Sequence, residues 1–202
     1  MKEIILIGGG GHCHSCIDII EQEKIYQIRG IVLASLENSI PILKYPVIGT
    51  DEDVPKLLKQ TKNILICIGQ IKNFKIRKTY FEFLKNLGAN FPIIKSPNAY
   101  CSRHANLGKG TILMHHALVN SNAQIGFNCI INSKSLIEHD TIVEDHCHIS
   151  TGAIVNGAAK IGMGSFVGSG SVIKEGVEIG KGVIIGAGKT VIKNVSDGTI
   201  IK

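Results

Sequence analysis

Two short stretches of this 202-residue chain carry groups suited to moving a proton. One is Ile137-Glu138-His139-Asp140, the other His146-Cys147-His148. A histidine followed directly by a carboxylate is a general base with its orienting group built in. The acid fixes the imidazole tautomer and raises its basicity. A third stretch, Gly8-Gly9-Gly10-Gly11-His12, lies between the apolar run Glu3-Ile4-Ile5-Leu6-Ile7 and a helix-like pattern from His14 to Glu23. Such a loop turns backbone N–H groups and a helix N-terminus toward an anionic or polar ligand. The dinucleotide fingerprint G-x-G-x-x-G is only partly met, since Cys13 takes the third glycine position. The second strand ends in Val32-Leu33-Ala34-Ser35, with no acid to hold a ribose hydroxyl. A nicotinamide cofactor is therefore excluded, and the loop reads as a small-ligand pocket at a sheet crevice. Gly69, at the end of another strand-like run, lines the same crevice in this reading.

The elements that must hold these groups fall into two textures. From Leu107 to Val191 every sixth residue is a branched aliphatic, in fifteen consecutive hits (Leu107, Leu113, Val119 and so on to Ile185 and Val191). A period of six fits neither an amphipathic helix nor a half-buried strand; it is the hexapeptide signature of a parallel β-helix. Grouped in threes, the fifteen hexads make five coils of 18 residues, a prism about 20–25 Å tall at ordinary strand spacing. Glycine and asparagine recur at the fourth or sixth hexad position, where a corner needs positive φ. His139 and His148 fall off the aliphatic row, on positions that point outward from the coil.

Residues 1–97 instead alternate strand-like and helix-like runs, which implies a small open parallel sheet. Strands are expected at Glu3–Ile7, Ile28–Leu33, Ile64–Gly69 and Phe91–Ile94, with a short extended piece at Pro46–Gly49. Thr50-Asp51-Glu52-Asp53 caps a helix running through Leu58, and Asn73 to Gly88 forms a basic amphipathic helix. Ser96-Pro97-Asn98 reads as the hinge, giving domains 1–97 and 98–202.

Composition narrows the function classes. The 23 glycines and the 5% aromatic content suit a narrow coil. The net charge of +6 favours anionic partners, but the basic residues are scattered and no nucleic-acid patch stands out. No apolar stretch reaches the ~18 residues of a membrane span, and the N-terminus lacks secretory-signal chemistry, so a cytoplasmic protein is expected. Cys13-His14-Ser15-Cys16 spells C-x-x-C, yet His12, Cys13 and His14 cannot all face one ion, so these cysteines are expected to pack as small apolar residues at a helix start. Zinc-holding coils need histidine pairs about five residues apart, and here the spacings are two, seven and nine; no metal is expected.

Taken together, the G-x-x-G-H opening, the hexapeptide coil, and the spacing Asn132…His139-Asp140…His148-Ile149-Ser150-Thr151-Gly152 resemble the sialic-acid O-acetyltransferase and bacillosamine-pathway N-acetyltransferase family. The resemblance implies a Rossmann-like α/β N-terminal subdomain followed by a left-handed parallel β-helix. It implies transfer of acetyl from acetyl-CoA, by direct attack, to the amino group of a nucleotide-linked 4-amino-deoxy sugar, in glycan or surface polysaccharide synthesis. An O-acetyltransferase of a sialic-acid-like sugar and a non-catalytic sugar-binding scaffold are the alternatives. By the same resemblance His139 is the base and Asp140 its partner. His148, Gly157, Ser169 and Ala187 contact acetyl-CoA, with the Gly157 amide on the developing oxyanion. Gly10, Gly11, His12, Gly69 and Asn132 hold the sugar. A homotrimer with sites between subunits is expected.

Overall fold

The computed structural model describes residues 1–37 and 40–202. Its first region is a four-stranded parallel sheet in the order β3-β2-β1-β4, from β1 (Lys2–Ile7), β2 (Tyr26–Leu33), β3 (Val47–Thr50) and β4 (Ile64–Ile66). The run Ile4 to Ile7 is fully buried because helices and coil cover both sheet faces, as parallel sheets require. Helix α1 (Gly11–Glu23) buries Cys13, Cys16, Ile17, Ile19 and Ile20. The C-x-x-C pair thus packs as apolar residues, beside a fully buried Cys67. Thr50 and Asp53 form a capping box over a 3₁₀ turn that leads into α2 (Val54–Leu57). Helix α3 (Lys75–Asn86) turns Arg77, Phe81 and Leu84 inward.

The second region is a three-sided left-handed parallel β-helix of two-residue strands, stacked into sheets of seven, six and five. Residues pair with those 18 positions away, as in Ile130↔His148 and Leu136↔Ile154. The aliphatic row fills the interior: Ile131, Ile137, Ile149, Val155, Ile161 and Val167 have no solvent exposure. Burying each such side chain contributes roughly 1.5–3 kcal/mol. The sixth hexad position carries the left-handed corner, as at Asn128 (φ 53°), Lys134 (58°), Asp140 (60°) and His146 (59°).

The three outer faces differ. The seven-stranded face turns Ile94, Ile112, Ile130, His148 and Phe166 outward, and all are buried, largely beneath the N-terminal region. The five-stranded face is mostly polar, presenting Asn106, Gln124, Lys160 and Glu178 around an exposed Ile142. The six-stranded face carries Leu118, Leu136, Ile154 and Val172, half-buried, with Tyr100 at 58% exposure.

Two sequence expectations change. Phe91–Ile94 was expected to be the fourth strand of the N-terminal sheet. Ile94–Lys95 instead pairs with Ile112–Leu113, as the first strand of the seven-stranded coil face. The fourth sheet strand is β3, in the segment expected only as a short extended piece. The coil therefore begins before Pro97. An apolar pair looks the same whether its neighbour is a sheet strand or a coil strand.

Candidate active site

The sequence-selected residues gather into two clusters on opposite edges of the six-stranded face. The corner following Leu136–Ile137 carries the first. His139 is exposed, and its Nδ1 lies 2.8 Å from Asp140 Oδ2. Asp140 adopts φ 60°, a left-handed conformation that aspartate tolerates, and this aims its carboxylate back at its neighbour. Asn122, one coil below, donates to Asp140 Oδ1 at 2.7 Å. Hydrogen bonds from Asn122 and then His139 hold the Asp140 carboxyl below the usual range, so it is ionised at neutral pH. It therefore accepts the Nδ1 proton and leaves Nε2 as a base. Glu138 does not compete for the ring: it accepts from Asn120 Nδ2 (2.8 Å) and from the His139 backbone N–H (3.3 Å).

The imidazole lies against Gly157. A Cβ there would stand 2.8 Å from His139 Cε1 and 2.9 Å from Nε2. At comparable turns Asn120 and Asn132 accept the N–H of the following residue, at 2.7 Å each. Asn156 instead donates to the Ile173 carbonyl at 2.8 Å, and among the described residues nothing accepts from the Gly157 N–H. A free backbone donor thus sits beside a free imidazole nitrogen, in an open recess of about 650 Å³ lined by Glu138, His139, Asn156, Gly157, Glu175 and Gly176.

The second cluster lies on the far edge, where coil meets N-terminal sheet. The order β3-β2-β1-β4 reverses direction between β1 and β4, the switch point where open parallel sheets bind ligands. Gly8–Gly11 follow β1, and Cys67–Gln70 follow β4. Helix α1 has no side-chain cap at Gly10, and Cβ atoms at Gly10 and Gly11 would meet open space, so among the described residues nothing crowds that N-terminus. Gly69 faces His12: a Cβ at Gly69 would stand 3.7 Å from the Cβ of His12. His12 Nε2 in turn lies 3.5 Å from Cys16 Sγ.

His148 also belongs here. It points outward from the coil, but onto the face that the N-terminal region covers, and only 6% of it is exposed. Its Nδ1–H donates to the Gln70 carbonyl, and Phe166 packs edge-on against its ring. Asn132 Oδ1 is taken by the Ser133 N–H, so the Asn132 amide nitrogen faces His148 Nε2 at 3.0 Å. Nε2 is therefore an acceptor, and burial pulls the imidazole down to about 4, leaving it neutral. Ser150 Oγ reaches Ser169 Oγ at 2.9 Å, and Ser169 and Ala187 are exposed one coil apart on this corner. Within one chain, then, His139, Asp140 and Gly157 sit together. His12, Gly69, Asn132, His148 and Ser169 form a separate group across the six-stranded face.

Spacing did not reveal Gln70 or Arg77, which fasten this second group. Arg77 looked like one cation of a basic helix. Its signal was its place four and seven residues before Phe81 and Leu84, on the face those residues bury.

Comparison with known proteins bears on the fold and the class of the chain. Residues 3–84 match the family model of the PglD N-terminal domain, and residues 158–193 that of the bacterial transferase hexapeptide (six repeats). No curated protein is found to match the chain. Among solved structures, a mutant of perosamine N-acetyltransferase from Caulobacter crescentus, in complex with CoA and GDP-perosamine, is 26% identical over 99% of this chain and 93% of its own, with a TM-score of 0.93. The acetyltransferase domain of PglB from Neisseria gonorrhoeae, in complex with acetyl coenzyme A, is 27% identical over 98% and 95%, with a TM-score of 0.91. WeeI from Acinetobacter baumannii shares the fold, with 24% identity over 99% and 96% and a TM-score of 0.85. The fold is that of a hexapeptide-repeat acyltransferase. More narrowly, the chain has the build of the PglD-like acetyltransferases, which bears out the resemblance read from its sequence. No helix among the described residues is long and apolar enough to cross a membrane.

Proposed function

We propose that the chain is an acetyl-CoA-dependent N-acetyltransferase acting on the amino group of a nucleotide-linked 4-amino-deoxy sugar. The observation that carries this reading is the pairing of a free His139 Nε2, backed by ionised Asp140, with the unpartnered Gly157 N–H beside it. Likeness along nearly the whole chain to enzymes with CoA and GDP-perosamine bound supports the choice of donor and acceptor class.

In the reaction, the sugar amine attacks the thioester carbonyl carbon while His139 Nε2 takes its proton. The C=O π pair moves onto oxygen, which the Gly157 N–H meets as charge develops. Collapse expels the CoA thiolate, which takes the proton from His139, and the C–N bond is complete. The chain itself needs no nucleophile. His148 cannot donate to the oxyanion, because its only proton lies on Nδ1 and is held by Gln70. Its Nε2 lone pair is taken by the Asn132 amide, so His148 acts by holding Asn132, the residue placed against the sugar, in one orientation. Ser169 and Ala187 border the groove for the donor.

Assembly completes this site. The half-buried apolar row Leu118, Leu136, Ile154 and Val172 is the one coil face covered neither by the N-terminal region nor by polar side chains. Copies related by a threefold axis and packed along this face bring the His139 edge of one coil beside the Asn132–His148 edge of the next. A closed ring thus joins the two clusters that a single chain keeps apart.

The test is CoA-thiol release with acetyl-CoA against nucleotide-linked 4-amino sugars and sialic-acid-like sugars. Turnover is expected with the amino sugars and falls by roughly 10²–10⁴-fold in His139→Ala. Turnover only with hydroxyl acceptors favours the O-acetyltransferase. No release with any acceptor, or full turnover in His139→Ala, refutes the proposal.

A further inference from the structure

Arg77 is a fully buried guanidinium with no carboxylate partner among the described residues. It is 1% exposed, and its hydrogen bonds run to uncharged oxygens on both regions of the chain. Nη1 donates to the carbonyls of Ile66 (2.7 Å) and Ile68 (2.6 Å), which bracket the end of β4. Nη2 donates to Asn128 of the coil, at Oδ1 (2.6 Å) and at its carbonyl (3.3 Å). The remaining donor, Nε, has no partner among the described residues. Taking an unpaired cation out of water is expensive, and packing alone gives no reason for one here.

The guanidinium fixes the Asn128 amide and the two carbonyls that flank Cys67. With Oδ1 held by Arg77, the Asn128 amide nitrogen faces His146 Nδ1 at 3.0 Å. His146 Nδ1 is thereby an acceptor, and burial lowers its proton affinity in keeping. The His146 carbonyl accepts from Gln70 Nε2 at 2.8 Å, and the Gln70 carbonyl accepts from His148 Nδ1. Two histidines two residues apart thus hold opposite tautomers. The crevice turn at Gly69-Gln70 is clamped at both ends, by Arg77 through Ile68 and by the His146 carbonyl. A lysine would supply the charge but not the planar fork that spans both regions.

We propose that Arg77 is a positioning residue: through Ile68, Asn128, His146 and Gln70 it fixes the crevice turn and the Nδ1–H tautomer of His148, whose Nε2 then accepts from Asn132, the residue placed against the sugar. The inference rests on the acetyltransferase reading only for its kinetic part. Besides Arg77, the titratable group whose charge reaches His148 is His12 of α1.

The experiment uses the full chain, labelled with ¹⁵N-histidine, as wild type, Arg77→Lys and Asn128→Leu; His148→Gln assigns the resonance. The wild type is expected to show a protonated Nδ1 and bare Nε2 at His148 at neutral pH. Both variants are expected to lose that single tautomer while His139 signals stay in place. In the thiol-release assay, misplacement on the scale of 1 Å lowers kcat/KM for the sugar by about 10²-fold, with KM for acetyl-CoA much less affected. An unchanged His148 tautomer in folded Arg77→Lys overturns the proposal. If Arg77→Lys does not fold, the same result in Asn128→Leu overturns it. Absence of thiol release by the wild type would count against the enzyme reading alone, since the tautomer measurement does not depend on turnover.

Discussion

Gly157→Ala separates the placement of the base from its chemistry. The new methyl would lie 2.8 Å from Cε1 and 2.9 Å from Nε2 of His139. Ordinary carbon contacts start near 3.5 Å, so the ring must move by about 0.6–0.7 Å or rotate off Asp140. The ring is exposed and Gly157 does not take a left-handed φ, so the fold yields cheaply. The change in unfolding free energy is expected within about 0.5 kcal/mol. The Gly157 N–H is retained, so any loss reports on the imidazole. A displacement of this size lowers kcat by roughly 10–10²-fold. Stability is read by urea unfolding, and kcat by thiol release at saturating acetyl-CoA. Built into His139→Ala, the same substitution should cost almost nothing more, because the group it displaces is gone. Equal losses in the two backgrounds, or an unchanged kcat in Gly157→Ala, would refute the reasoning.

Two further outcomes follow from the same geometry. Ile154→Arg puts a charge in the middle of the apolar face and is expected to convert a trimer to monomers in light scattering, with the coil's circular dichroism intact and turnover lost. A trimer that persists would remove that face from the assembly. Stability is also expected to fall with pH between about 6.5 and 4. In that window the unfolded His148 gains a proton that the native imidazole, near 4, refuses, so the unfolded state binds more protons. Fully expressed, below pH 4, the effect is about 3 kcal/mol. Carboxylates such as Asp140 act in the same direction, so the measured quantity is the wild-type pH dependence minus that of His148→Gln. Equal slopes for the two proteins would contradict the buried, neutral imidazole.

Much of the coil was legible residue by residue. The sixfold row reports which side chains point inward, and Ile131, Ile137 and Ile149 are indeed without exposure. The same row shows that His148 points out, yet not what it meets there. That depends on which coil face the N-terminal region covers, a long-range choice without a local signature. The Phe91–Ile94 stretch went to the wrong sheet for a related reason, since two apolar residues in extended form can join either layer. His139-Asp140 could be read because its partners are adjacent in sequence. The free Gly157 N–H could not, since it depends on Asn156 turning toward Ile173, while Asn120 and Asn132 turn the other way. Arg77 was hidden by its neighbours: in a helix rich in lysine, one more cation looks solvated until its face is known.

The strict three-faced winding also limits how this molecule can be altered. An insertion or deletion of one hexad would preserve the aliphatic row, and so the fold, but would turn every later residue by one face. Moving the segment after Asn132 forward by six would place His148 on the apolar face and Ile154 on the polar one. A length change compatible with the site must therefore come as a whole turn of 18 residues or bulge out from a corner. For an engineer seeking a new acceptor, substitution at Gly10 and Gly11, where a Cβ meets open space, is open, while re-spacing the coil is not.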